Sequence, residues 1–211
     1  MTCLAKILAT LFVLNNIKAA SLEATVDLSI YGVLSESCEY DATNNLIYVQ
    51  RRDAAPNGIA SITSDVTKLA SNITEYSFPV VEGMAQNGMV LLDKKLYIAN
   101  YAGNFTVYDI QNGNVIASEF IGIGINGLCN DPDNPMIFYT TAVGIDFASS
   151  FQYDNSQGIW MIDTSVSPYN ITQILDSNTM ISGNPAFPNG CIVSNGVVYL
   201  VETNLDLTGN I

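Results

Sequence analysis

Asn87-Gly88-Met89-Val90-Leu91-Leu92-Asp93-Lys94-Lys95-Leu96-Tyr97-Ile98-Ala99-Asn100 carries the architecture of this chain. Two short apolar runs flank a polar turn, the pattern of a β-hairpin. The pattern recurs. Asn126-Gly127-Leu128-Cys129 precedes Met136-Ile137-Phe138-Tyr139-Thr140, and Asn189-Gly190-Cys191-Ile192-Val193 precedes Val197-Val198-Tyr199-Leu200-Val201. A divergent first copy runs Cys38-Glu39-Tyr40-Asp41, then Asn45-Leu46-Ile47-Tyr48-Val49. Each second run holds a tyrosine. Tyr48, Tyr97, Tyr139 and Tyr199 are 49, 42 and 60 residues apart.

Two further apolar runs follow the hairpin in each of the first three copies. The third runs are 58–62, 104–109 and 158–163, and the fourth are 73–76, 115–120 and 171–175. Four strands in each 40–50 residues is the arithmetic of a β-propeller blade. The longest spacing predicts a loop insertion near Asp146 to Gln157. A β-sandwich also alternates hairpins, but it gives no reason for Asn-Gly to recur at one place in each unit. The expected fold is therefore all-β, a propeller over residues 21–211. It is expected to be incomplete, at about 3.5 to 4 blades, because the fourth unit reaches Gly209-Asn210-Ile211 where its third strand begins.

Composition narrows the chemistry. Hydrophobic residues make up 48% of the 211, enough for a core, and only 13% are charged, which argues against wholesale disorder. Seven Lys and Arg against 20 Asp and Glu give a net charge of −13, so a clustered basic footprint for nucleic acid is not expected. There is no histidine. That excludes Ser-His-Asp and Cys-His nucleophile systems and His-ligated zinc. Carboxylates, amides, hydroxyls or an oxygen-bound metal remain.

Residues 1–20 read as a secretory signal peptide: Lys6, an apolar stretch from Ile7 to Leu14, then Lys18-Ala19-Ala20. The apolar run is about 8 residues against the roughly 20 that a membrane span requires. A secreted, extracellular protein is expected, with no membrane span. Three Asn-x-Thr triplets, at Asn72, Asn104 and Asn170, are candidate glycosylation sites if the host is eukaryotic. Beyond the leader, Cys38, Cys129 and Cys191 form no disulfide framework; they read as buried free thiols, with one disulfide pair as the alternative.

Pro188-Asn189-Gly190 through Glu202-Thr203 resembles the inner-strand motif of the gluconolactonase, senescence-marker-protein and luciferin-regenerating-enzyme family of six-bladed propellers. Asn126-Gly127-Leu128 through Tyr139 is a second example. Leu34 through Asp41 is similar to that family's opening Gly-Glu-x-Pro-x-Trp element, although Ser35, Cys38 and Tyr40 replace its Gly, Pro and Trp. The resemblance covers roughly residues 30–211, about four of six blades. It implies a divalent cation on the propeller axis, with Glu36 as carboxylate ligand and Asn189 as amide ligand. It makes Asn126 a ligand or a substrate-facing amide. The family's late Asp, also its general base, has no counterpart before Ile211.

Oxygen ligands suit hard cations, calcium first, with magnesium or zinc as alternatives. Such a cation polarises a lactone carbonyl or acidifies bound water. Asn-Gly is also the preferred type I′ turn pair, so Asn87, Asn126 and Asn189 have a second reading as turn formers. Asp131-Pro132-Asp133-Asn134-Pro135 reads as a hairpin loop rather than a calcium loop. Gly122-x-Gly124-x-x-Gly127 lacks the βαβ setting of a dinucleotide site. Trp160 is expected to pack between blades. The resulting expectation is a fragment of a metal-dependent hydrolase of lactones or related esters, itself inactive. The alternative is a non-catalytic secreted propeller that binds a ligand or protein.

Overall fold

The computed structural model describes residues 37–51, 58–63, 73–76, 86–122, 124–143, 145–146, 152–153, 157–176, 186–204 and 209–210. The leader, Glu36 and Asn72 lie outside the described residues. All regular structure described is β, and no described helix is long and apolar enough to cross a membrane. The chain divides into two compact units: Met1–Met84 with Ile110–Asn114, and Ala85–Asp109 with Val115–Ile211.

The first unit holds one antiparallel sheet in the order β1 (Cys38–Asp41), β2 (Leu46–Arg51), β3 (Gly58–Thr63), β4 (Ile73–Tyr76). Its first turn is organised by Asp41. One carboxylate oxygen accepts the backbone N–H of Thr43 at 2.9 Å and of Asn44 at 3.2 Å, and the other accepts the Asn44 amide at 2.7 Å. Asn45 then takes a φ of 53°, which asparagine tolerates better than most residues. Tyr48, Val49 and Ile59 are buried within this unit.

Among the described residues the second unit holds three larger sheets and a two-stranded ribbon. One runs β5 (Gln86–Leu92), β6 (Lys95–Asn100), β7 (Asn104–Asp109), β8 (Val115–Phe120). The next is formed by β9 (Ile125–Asn130), β10 (Ile137–Ala142), β13 (Gly158–Asp163) and β14 (Asn170–Asp176), in that spatial order. Between β10 and β13 lies a ribbon of β11 (Ile145–Asp146) and β12 (Gln152–Tyr153), at the insertion the repeat spacing predicts. The last sheet is β15 (Ala186–Ser194), β16 (Val197–Asn204) and β17 (Gly209–Asn210).

Turn chemistry fixes the hairpins. Asp93 and Lys94 both take positive φ (48° and 61°), as do Asn195 and Gly196 (51° and 71°). Positive φ at both central residues matches the twist of the flanking strands. The recurring Asn87-Gly88, Asn126-Gly127 and Asn189-Gly190 pairs instead lie inside β5, β9 and β15. Their reading as turn formers is therefore corrected. The Asp131–Pro135 segment is the hairpin loop expected, closed by Asp131 N–H donating to the Ile137 carbonyl at 2.9 Å.

Side-chain alternation then decides what packs. Val90, Tyr97, Ala99, Phe105 and Val107 share one side of the first sheet of this unit and meet Ile125, Leu128, Phe138, Ala142 and Ile162 of the next. The Tyr97 and Phe138 rings stack at 4.3 Å between centroids, and Phe105 lies 5.7 Å from Phe138. Trp160 packs against this core as expected. The outermost strand β14 alternates exposed and half-buried residues, the signature of a sheet margin with one wet face.

Cys129 of β9 and Cys191 of β15 form a disulfide. This is the one pair that the sequence left open as an alternative, and the expectation of free thiols is corrected, since among the described residues no cysteine is free. Both sulfurs sit at the meeting of two inner strands, where a 62-residue separation in sequence is closed. Loop-closure entropy for a loop of that size gives a stabilisation of about 4 kcal/mol. The Cys129→Ser, Cys191→Ser double variant should lose stability of that order in urea unfolding.

Burial pushes the Tyr97 phenol up to about 12, helped by Tyr169 and Asp93, and pushes Tyr108 to about 12 as well. Both must stay protonated in the fold while the unfolded chain ionises near 10. Their contribution is fully present below pH 10 and is lost as pH rises towards 12, because the native state then holds more protons than the unfolded one. Stability measured by denaturant should fall through that window. Tyr97→Phe should flatten the fall.

Candidate functional site

The inner strands β5, β9 and β15 lie side by side. At each Asn-Gly pair the ladder slips. In the first hairpin of the unit the register shifts between Gln86 and Met89, opposite Asn100 and Ile98. In the second it shifts between Thr140 and Ala142, opposite Leu128 and Ile125. In the third it shifts between Pro188 and Gly190. Each is a β-bulge with one extra residue on the inner strand, a device that bends a strand and re-aims its side chains.

Glycine is required here by proximity. A Cβ on Gly88 would meet the backbone of the neighbouring inner strand, 2.7 Å from the Asn126 carbonyl and closer still to Leu128 N. A Cβ on Gly127 would lie 2.6 Å from the Asn189 carbonyl and 2.7 Å from Gly190 Cα. The three Asn-Gly pairs thus form a row across adjacent strands. The structure brings Asn126 and Asn189 together on neighbouring strands, both partly exposed. Asn87 is buried, and its side-chain amide donates to the Ile125 carbonyl at 2.9 Å, crossing from β5 to β9.

Two threonines complete the row. Thr140 and Thr141 are fully buried. Gly127 N–H donates to Thr141 Oγ1 at 2.8 Å, and Thr140 Oγ1 donates to the Gly127 carbonyl at 2.7 Å. Thr141 Oγ1 also donates to the Asn189 carbonyl at 3.4 Å. The two hydroxyls therefore satisfy backbone groups that the bulge removes from the ladder. Sequence reasoning did not single these residues out. A signal was present: Thr140 follows Tyr139 where Val49, Ile98 and Leu200 follow the equivalent tyrosines, so a hydroxyl occupies an otherwise apolar column, with Thr141 beside it.

As a donor set, the side-chain oxygens of Asn126 and Asn189 are of the kind a hard cation takes. They are neutral, and any charge must come from elsewhere. Among the described residues no group of three or more His, Cys, Asp or Glu gathers, and Glu36 lies outside them. Of the candidate glycan acceptors, Asn170 is exposed at the start of the margin strand β14. Asn104 is half-buried, with its backbone N–H donating to Asn100 Oδ1 at 3.1 Å. Gly127→Ala should destabilise the chain by about 1–3 kcal/mol, the usual range for overpacking, measured by thermal unfolding.

No family model matches the chain, and no curated protein matches it. Solved structures do. Hydrazine synthase of Kuenenia stuttgartiensis is similar at 14% identity and a TM-score of 0.56, over 90% of this chain and 46% of that one. The β-propeller domain of Myceliophteria thermophila Cps50 (Swd1) is similar at 8% identity and a TM-score of 0.56, over 80% of this chain and 49% of that one. The chain thus spans about half the length of these two. The computationally designed Ika4 protein is similar at 14% identity and a TM-score of 0.51, over 93% of this chain and 97% of that one. With four-stranded antiparallel sheets packed face to face, these likenesses establish the fold as a β-propeller.

Proposed function

We propose that this chain belongs to a secreted, gluconolactonase-like propeller whose complete protein hydrolyses lactones or related esters with a divalent cation, calcium foremost. The observation that carries this reading is the row of Asn-Gly bulges, which sets Asn126 and Asn189 on adjacent inner strands. In this reading Asn189 and Glu36 hold the cation and Asn126 orients the substrate. When bound, the cation supplies carbonyl polarisation and acidified water. The buried threonines keep the strand backbones in place, so the two amides are presented without rearrangement. In this reading the chain by itself is expected to be inactive.

Export is supported by the disulfide, which persists in oxidising compartments. The exposure of Asn170 suits a glycan acceptor. Calcium titration of the folded chain by calorimetry should show binding that Glu36→Gln and Asn189→Ala each weaken about tenfold or more, on the order of 1.4 kcal/mol. Lactone hydrolysis by the 211-residue chain should stay at background. Binding unchanged in both variants would remove the metal assignment, and turnover by the chain alone would remove the inactive-fragment reading. Calcium binding by a complete protein without turnover would favour a non-catalytic binding module.

A further inference from the structure

Two elements of the second unit enclose a cleft of about 280 Å³ that the Asn-Gly row does not line. One wall is β8, through Ile116, Ala117 and Glu119, and the other is the turn from Thr164 to Tyr169 that joins β13 to β14. Strict alternation would turn Ile116 and Ala117 to opposite faces of the sheet. The ladder to β7 shifts between Val107 and Tyr108, opposite Ala117 and Val115, so Ile116 is an extra residue on β8. A bulge of this kind re-aims a side chain, and both residues line the cleft. Ile116 and Val166 are about half exposed, whereas Ala117, Glu119 and Tyr169 are half-buried.

The chemistry of the walls is one-sided. Ile116, Ala117, Val166 and Pro168 are apolar, and no Lys or Arg lines the cleft. Thr164 Oγ1 donates to the Met136 carbonyl at 2.9 Å, and Ser165 Oγ donates to the Asp163 carboxylate at 2.6 Å. Both hydroxyl hydrogens are committed, and what these groups still offer is lone pairs. Glu119 adds a carboxylate, and among the described residues its side chain makes no hydrogen bond or ion pair. Burial first, and then the Glu119 carboxylate, hold the Tyr169 phenol above its ordinary range, so the two groups are neighbours. Edge-on contact with Phe105, at 6.1 Å between centroids, fixes the Tyr169 ring.

We propose that this cleft binds a small organic ammonium ion, its nitrogen donating to Glu119 and Ser165 and its apolar body covering Ile116, Val166 and Pro168. The inference is independent of the metal reading. Acceptors with a single negative charge call for a charged donor, and a charge-assisted hydrogen bond is the stronger kind. The apolar walls call for a hydrocarbon body. The volume lies just below that of drug-sized pockets, which suits a body of one small ring. A net charge of −13 raises the local concentration of cations around the chain, and the cleft then selects among them by shape.

The test is calorimetric titration of the full chain at neutral pH with cyclohexylmethylammonium chloride, beside its neutral isostere cyclohexylmethanol. The amine should bind saturably at one per chain, and the alcohol about tenfold more weakly, the size of one hydrogen bond to a charged group. Glu119→Gln should bring the amine down to the level of the alcohol. Ile116→Arg, at an exposed position, should abolish amine binding because it brings its own cation to Glu119. Both variants should keep the wild-type circular dichroism spectrum. Added sodium chloride should weaken the amine and spare the alcohol, a readout that needs no variant. Attraction of cations by the acidic chain as a whole would survive both substitutions. No saturable binding at millimolar amine, equal affinity for amine and alcohol, or amine binding unchanged in Glu119→Gln and Ile116→Arg would each overturn the proposal.

Discussion

In the second unit neighbouring inner strands approach one another backbone to backbone. At Gly88 and Gly127 one inner strand comes so near the next that no side chain fits between them. Everything else in this unit follows from keeping that approach. The bulges at Asn87, Asn126 and Asn189 turn the strands so that they can meet, and they leave backbone groups without ladder partners. The Asn87 amide and the hydroxyls of Thr140 and Thr141 supply bonds at this junction. Polar groups in such a dry place cost heavily when unpaired, which explains why hydroxyls stand among apolar neighbours there.

Around this polar row the apolar core does the ordinary work of sheet packing. Tyr97, Phe105 and Phe138 fill the space between two sheets, and the disulfide between Cys129 and Cys191 ties the second of those sheets to the last. The same constraint presents the chemistry. Asn126 and Asn189 are set side by side by the backbone contact that Gly127 permits, so the candidate amides are positioned by the scaffold and not by a mobile loop. Their neutrality makes a carboxylate the deciding partner for any cation, and the resemblance assigns that part to Glu36.

Much of this was legible from residue order. Alternating apolar runs located β4, β7, β8 and β13 to the residue, because a strand with one buried face must repeat every second position. The tyrosine spacing located the four sheets, and the long interval before Tyr199 located the inserted ribbon. The Asn-Gly pairs were legible as a repeat but ambiguous in meaning. Locally they suit a tight turn, and only the presence of Asp93-Lys94 and Asn195-Gly196 at the real turns leaves them free for the strands. The cysteines were ambiguous for a similar reason: spacing along the chain says nothing about two sulfurs brought together across strands.

Periodicity and composition settle what a residue can do near its own backbone. They establish an acidic all-β chain of repeated hairpins whose chemistry must proceed without imidazole. The cross-sheet partners of Gly88, Asn87, Thr141 and Cys129 lie between 38 and 62 residues away, and folding alone selects them. The fates of Tyr97 and Tyr199 show the division. The two occupy the same place in the repeat, yet one is buried and the other half exposed, because burial depends on which sheet arrives next and not on the strand that carries the ring.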